Sequence, residues 1–142
     1  MPDGVQKGGS GSDPPSQRID PEKLRHALSQ FTATDNLYQH ISGLFTYTDG
    51  VRFLADSVGA YWLLDLIASW QKRARKNYEL SQLQIWELRV RSDRTATADI
   101  LIDEGIPVYQ QLIKFSDFPL DYLKLYLEGD VLMLPTERQE KD

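Results

Sequence analysis

The sequence predicts an α+β fold in which N-terminal helices pack on one face of an antiparallel β-sheet, itself a three-stranded meander followed by a C-terminal hairpin. Three observations carry that expectation. Apolar residues recur at helical spacing through the first half of the chain, as in Leu24, Leu28 and Phe31, the mark of a helix with one buried stripe. They alternate with polar residues through the second half, as in Trp86, Leu88 and Val90 against Glu87, Arg89 and Arg91, which is the pattern of a strand with one wet face. The alternating segments follow one another with short turns, which favours a meander over βαβ crossovers and separates helices from strands into layers.

Residues 1–18 hold the linker-like run Gly8-Gly9-Ser10-Gly11-Ser12 and only one aliphatic residue, Val5, so they read as a flexible tail. A single domain over residues 19–135 follows, and residues 136–142 read as a charged tail. The first helix starts where Asp20 can cap it, with Pro21 at the first helical position and Glu22 in the first turn. Residues 36–41, where Leu37, Gln39 and Ile41 alternate with Tyr38 and His40, read as a short strand. Leu44-Phe45-Thr46-Tyr47-Thr48 is aromatic and β-branched and closes on Asp49-Gly50, a turn signal. Thr48 or Asp49 then caps a helix whose face is Val51, Leu54, Ala55 and Val58, and Gly59 ends it.

The run Gly59-Ala60-Tyr61-Trp62-Leu63-Leu64-Asp65-Leu66-Ile67-Ala68-Ser69-Trp70-Gln71 is the most hydrophobic in the chain and reads as a buried central helix. Only the face carrying Tyr61, Asp65, Ala68 and Lys72 holds a charge, so the helix is expected to be enclosed by other elements. It continues through Lys72, Arg73, Arg75 and Lys76, cations that oppose the negative end of a helix. Period two begins beyond Asn77. Ser92-Asp93-Arg94 and Asp103-Glu104-Gly105 supply the turns of the meander, and Glu128-Gly129-Asp130 that of the final hairpin. The second sheet face, with Glu87, Arg89, Arg91, Thr95, Thr97, Asp99, Gln110 and Lys114, is polar and needs no cover. Val108 and Leu112 lie on it and offer a surface for a partner or for self-association, as an open sheet edge would.

With 142 residues the chain has the size of one domain, and such a chain buries about two-thirds of its unfolded surface. Hydrophobic residues at 41% and charged residues at 26% fit a globular chain and exclude wholesale disorder. A net charge of −5 argues against general affinity for nucleic acid or an anionic membrane. The absence of cysteine removes disulfides, thiolate metal sites and cysteine nucleophiles. No charged-then-apolar leader opens the chain, and Asp65 interrupts an apolar run already too short for a bilayer. A cytoplasmic protein without cofactor, metal or membrane span is the expectation.

Two segments, Tyr47-Thr48-Asp49-Gly50-Val51-Arg52-Phe53-Leu54-Ala55 and the run from Gly59 to Ser69, resemble the signature of a family of small uncharacterised bacterial proteins, a domain of unknown function. Ser116-Asp117-Phe118-Pro119-Leu120 and Leu132-Met133-Leu134-Pro135-Thr136-Glu137 resemble its C-terminal motifs, and Phe31-Thr32-Ala33-Thr34 with Tyr38 and His40 its upstream segment, with Ala33 in place of an expected glycine. The similarity spans residues 28–137. It implies no mechanism.

Among candidate catalytic groups, His40 stands out because Tyr38, Tyr47, Asp49 and Asp65 can converge on it through folding. A His–Asp pair could act as a general base, since imidazole titrates near neutral pH, whereas a histidine among aromatics is more often structural. Asp65, inside an apolar helix, has to reach water, a partner or a cleft shared with Tyr61. Asp49 and Asp117 are turn residues first. The cations Lys72, Arg73, Arg75 and Lys76, with Tyr78, are the one feature suggesting phosphate contact. No nucleophile elbow, phosphate-binding loop or dinucleotide fingerprint is present. The leading reading is therefore an interaction or accessory module without catalytic activity that binds a protein partner. The competing readings are a small hydrolase-like or ligand-binding protein using His40, Asp49 and Asp65, with a cleft beside the central helix, and a weak nucleic-acid binder using residues 72–76.

Overall fold

A computed structural model describes residues 19–138. The tail expected over residues 1–18, and residues 139–142 of the second tail, lie outside the described residues. The elements are α1 (Pro21–Ser29), β1 (Leu37–Gln39), β2 (Thr46–Thr48), α2 (Asp49–Val58), α3 (Tyr61–Ala74), α4 (Tyr78–Gln82), β3 (Leu83–Val90), β4 (Ala96–Asp103), β5 (Ile106–Ile113), β6 (Tyr122–Glu128), β7 (Val131–Met133) and a 3₁₀ turn, Pro135–Glu137. The fold is α+β. No helix among the described residues is long and apolar enough to cross a membrane.

The sheet has seven strands in the order β1-β2-β7-β6-β3-β4-β5. The meander β3–β4–β5 and the hairpin β6–β7 form, and β6 docks antiparallel on β3 with Trp86 opposite Leu125. The purely antiparallel sheet expected from the sequence is corrected at one place: β2 and β7 run parallel, Thr46 against Val131 and Tyr47 against Leu132. Nothing local specifies that pairing. The hairpin β1–β2 joins the hairpin β6–β7 side by side, so the sheet is mixed and brings residues 37–48 against residues 122–133.

Local capping follows the sequence closely. Asp20 accepts from the N–H groups of Glu22 and Lys23 at 3.1 and 3.2 Å, and Thr48 Oγ1 accepts from the Val51 N–H at 3.3 Å. Gly59, at φ 65°, ends α2 in the left-handed conformation that lacks a penalty only for glycine. Asp49-Gly50 is not a turn, as its composition suggested, but the first two residues of α2. Helix α4 has no counterpart in the sequence reading. Its start is signalled by Asn77, whose side chain accepts from the Leu80 N–H at 3.1 Å.

One apolar cluster joins residues of all four helices to one side of the sheet: Leu24, Leu54, Leu64, Ile67 and Leu80 with Trp86, Leu88, Ile100, Leu123 and Leu125. Helix α3 is not enclosed all round. It buries Leu63, Leu64, Ile67, Ala68, Gln71 and Ala74 and leaves Tyr61, Asp65, Ser69, Lys72 and Arg73 exposed. The opposite sheet face is less wet than expected, since Glu87, Thr97 and Asp99 are buried in its centre. Glu87 accepts from Tyr122 Oη at 2.7 Å and from Arg89 Nη2 at 3.0 Å, and Asp99 accepts from Gln110 Nε2 at 2.8 Å. Long neighbouring side chains on adjacent strands cover and satisfy those carboxylates.

Candidate functional site

The loop between β1 and β2 is built around His40. Its backbone N–H donates to the Phe45 carbonyl at 3.0 Å, and the Gly43 N–H donates to its carbonyl at 2.9 Å, which closes residues 40–45 into a tight loop. The imidazole is 6% exposed and stacks on Phe45 with ring centres 4.8 Å apart. Nδ1 accepts the Ser42 backbone N–H at 3.1 Å and lies 2.8 Å from Ser42 Oγ. An amide N–H can only donate, so Nδ1 is the accepting nitrogen and the proton sits on Nε2. Nε2–H then donates to Asp65 Oδ1 at 2.8 Å.

Asp65 itself is 66% exposed at its side chain. Its hydrogen-bond partner among the described residues is His40, while Ser69 turns its hydroxyl to the Leu66 carbonyl. The structure thus brings together two of the three catalytic candidates. A general base needs a nitrogen free to take a substrate proton, and both nitrogens of this buried ring are engaged within the protein. What the pair does mechanically is clamp the loop onto α3.

Asp49 stands apart from that pair. At the first position of α2 its carboxylate accepts from Tyr38 Oη at 2.8 Å, the Asp35 N–H at 3.1 Å and Asn36 Nδ2 at 3.4 Å. The Tyr38 hydroxyl first, then the Asp35 amide, hold its carboxyl below the usual range. No hydrogen bond among the described residues joins Asp49 to His40 or Asp65. A carboxylate held this firmly ionised is a weak base. Its role here is to tie residues 34–36 to the start of α2, which also carries the positive end of the helix.

The cationic end of α3 divides in two. Arg73 stacks over Tyr109 and Trp70, its guanidinium carbon 4.9 and 5.6 Å from the ring centres. Arg75 donates from Nε to Gln71 at 2.7 Å and points its outer nitrogen at the carbonyls of Leu44 and Gly129, both at 3.4 Å. Gln71 is fixed in turn by a buried reciprocal amide pair with Gln84, at 3.0 and 2.8 Å. Lys72 and Lys76 stay exposed. With Leu44, Ala68, Gln71 and Arg75 they line an open groove of about 490 Å³. Tyr61 lies at the other end of α3, its hydroxyl donating to Asp56 at 2.6 Å. That bond, with burial second, raises its phenol above the ordinary value.

The groove's apolar floor is Leu44, from the loop that His40 clamps, with Ala68 of α3, and Ile41 lies on the same loop. Leu44 is 44% exposed and Ile41 is 95% exposed. The sequence pointed to the lysines but not to these two residues, since Ile41 read as part of a short strand and Leu44 as the start of an aromatic and β-branched piece. An apolar residue next to Ser42-Gly43, a turn-forming pair, was the available signal.

Glu137 was also missed. Although expected in a charged tail, it is buried in the 3₁₀ turn and accepts from Thr48 Oγ1 at 2.6 Å, the Gly50 N–H at 2.9 Å and the Leu134 N–H at 3.0 Å. It supplies an anion to the N-terminus of α2. The parallel β2–β7 pair places the exits of both strands together, which is why residues so distant in sequence meet.

Among the described residues no three His, Asp or Glu side chains are placed to hold a metal ion. The chain matches no curated protein and no solved structure. A family model does match, over residues 22–138, and these include every element from α1's second residue to the 3₁₀ turn. The chain belongs to that family, a family of unknown function (DUF6876).

Proposed function

We propose that the chain is a non-catalytic interaction module whose binding surface is the clamped loop 41–44 together with the cationic end of α3. The observation that carries this reading is the exposed apolar pair Ile41 and Leu44 on a loop that His40 and Asp65 hold rigidly. An apolar side chain at such exposure stays in contact with water, and a partner that covers it gains the free energy of removing that surface from water. Pre-ordering the loop lowers the entropy lost on binding. Lys72 and Lys76 border the floor formed by Leu44 and Ala68. The chemistry fits a short amphipathic protein segment that places an apolar residue on the floor and carboxylates toward the lysines.

Against the hydrolase-like alternative stand the engaged nitrogens of His40 and the separation of Asp49 into its own network. Against nucleic acid stands the diversion of Arg73 to aromatic rings and of Arg75 to carbonyls, leaving two lysines for phosphates where duplex binders usually use six or more contacts, on the order of the salt slopes seen for them. The test is capture of binding proteins by the tagged chain, run in parallel with a Leu44→Asp/Lys72→Glu/Lys76→Glu variant and with Lys23→Ala, at an exposed position of α1, as a surface control. A partner held by wild type and control but lost by the triple variant supports the reading. A set of bound proteins that the triple variant does not change overturns it.

A further inference from the structure

Among the described residues strand β5 ends the sheet and is paired on one side only, with β4. The other edge, β1, has three residues, short enough to be a poor template for pairing. β5 has eight residues, Ile106–Ile113, and not one of them is charged. Ile106, Val108 and Leu112 are 61%, 38% and 72% exposed, and Phe115 just beyond is exposed as well. Soluble proteins guard a long edge with lysines, inward charges or a covering loop. This edge has Pro107 and a bulge-like register shift against Ile100 to Asp103, both at its first end, and residues 109–113 continue in regular register without a guard.

We propose that β5 pairs antiparallel with β5 of a second copy of this chain, across a twofold axis normal to the sheet and passing near Gln110. The strand is its own complement. Residues opposed across an antiparallel pair share a face, and a twofold normal to the sheet keeps each copy's faces aligned, so residue i meets a residue of equal parity. Centred on Gln110, the pairing sets Val108 against Leu112 of the other copy, twice, and Gln110 against itself. Two exposed apolar residues of the strand thereby cover each other. Charge agrees. Asp103 ends β4 and Glu104, already paired with Lys124 of its own chain, opens the turn before β5, while Lys114 follows the strand's last residue, so antiparallel pairing brings Lys114 of one copy toward the Asp103 end of the other, whereas parallel pairing would stack like charges. On the opposite face, Tyr109 and Gln111 are already held by Trp70 of α3, at 5.2 Å between ring centres and 2.6 Å from Trp70 Nε1 to Gln111 Oε1. The strand is thereby pre-ordered for pairing.

This surface is separate from the loop 41–44 groove, and its test is independent of the partner reading. Sedimentation equilibrium on the full chain, over roughly micromolar to hundreds of micromolar concentrations, gives a mass of two chains. Leu112→Glu places a carboxylate against the apolar Val108 of the second copy and weakens the dimer at least about tenfold. Val108→Lys in the Leu112→Glu background sets a lysine opposite each glutamate and restores it. Both positions are exposed, and circular dichroism establishes that each variant is folded. Leu44→Asp leaves the dimer intact. A wild-type chain monomeric throughout that range overturns the proposal, as does a dimer that Leu112→Glu leaves unchanged. A dimer that the Val108→Lys/Leu112→Glu pair fails to restore overturns the register.

Discussion

Individual residues in this chain work mainly as fasteners. Gly50 is the sharpest case: a Cβ there would lie 2.6 Å from Leu134 Cδ1 and 2.8 Å from the Glu137 carboxylate. Relief means moving Glu137 away from three buried donors. Gly50→Ala is therefore expected to lower unfolding free energy by about 2–3 kcal/mol, an overpacking cost with part of a hydrogen-bonded network added. Urea midpoints against wild type measure it, and an unchanged midpoint refutes the account. Tyr122 gives a pH signature. Burial, then its bond to Glu87, push the phenol up to about 12. A folded-state value above the unfolded value of about 10 means that the stabilisation is complete below pH 10 and is lost as pH rises toward 12. Tyr122→Phe is expected to flatten that decline, read from thermal midpoints between pH 9 and about 12. Tyr61, raised by Asp56, keeps the variant's curve from becoming level.

At the scale of elements, the short helix α4 turns the chain from α3 into β3 within a few residues and brings Leu80 into the core. Five residues are too few for intrinsic helix stability, so the Asn77 cap and the burial of Leu80 hold it. Asn77→Ala is expected to cost about 1 kcal/mol, and the loss should appear in the α4 amides, which would exchange faster than those of α1. Equal exchange in variant and wild type would show that the cap is dispensable. The loop 41–44 is held differently, by a side chain from another element. His40 carries stacking on Phe45 and hydrogen bonds to both Ser42 and Asp65, whereas exposed Asp65 contributes little alone because water screens it.

Across the whole molecule the sheet sets a gradient of stability. β3 lies between β4 and β6 with its Trp86, Leu88 and Val90 in the core, while β1 is an edge strand of three residues. Native-state hydrogen exchange should find the amides of β3 slowest and those of β1 opening well before global unfolding. Comparable protection in the two strands would contradict this gradient. The same picture separates what the sequence could carry from what it could not. Period-two alternation in Trp86, Leu88 and Val90, helical spacing in Leu63 and Ile67, and caps at Asp20 and Thr48 were all legible. Each expresses a local rule, burial of one face at a fixed repeat or satisfaction of nearby backbone groups. Asp49-Gly50 misled because its composition suits a turn as well as a helix start, and only Thr48 and Glu137 decide between them. Glu137 read as tail because a lone carboxylate near the end of a chain carries no sign of distant donors. The sequence by itself determined the elements other than α4 and the 3₁₀ turn, the exclusion of cysteine chemistry and the resemblance to an uncharacterised family. Tertiary structure alone decided that β2 and β7 run parallel, that His40 meets Asp65 while Asp49 stays apart, and that β5 is left as the open edge, because strand neighbours are chosen by packing between residues far apart in the chain, and such choices leave no periodic trace.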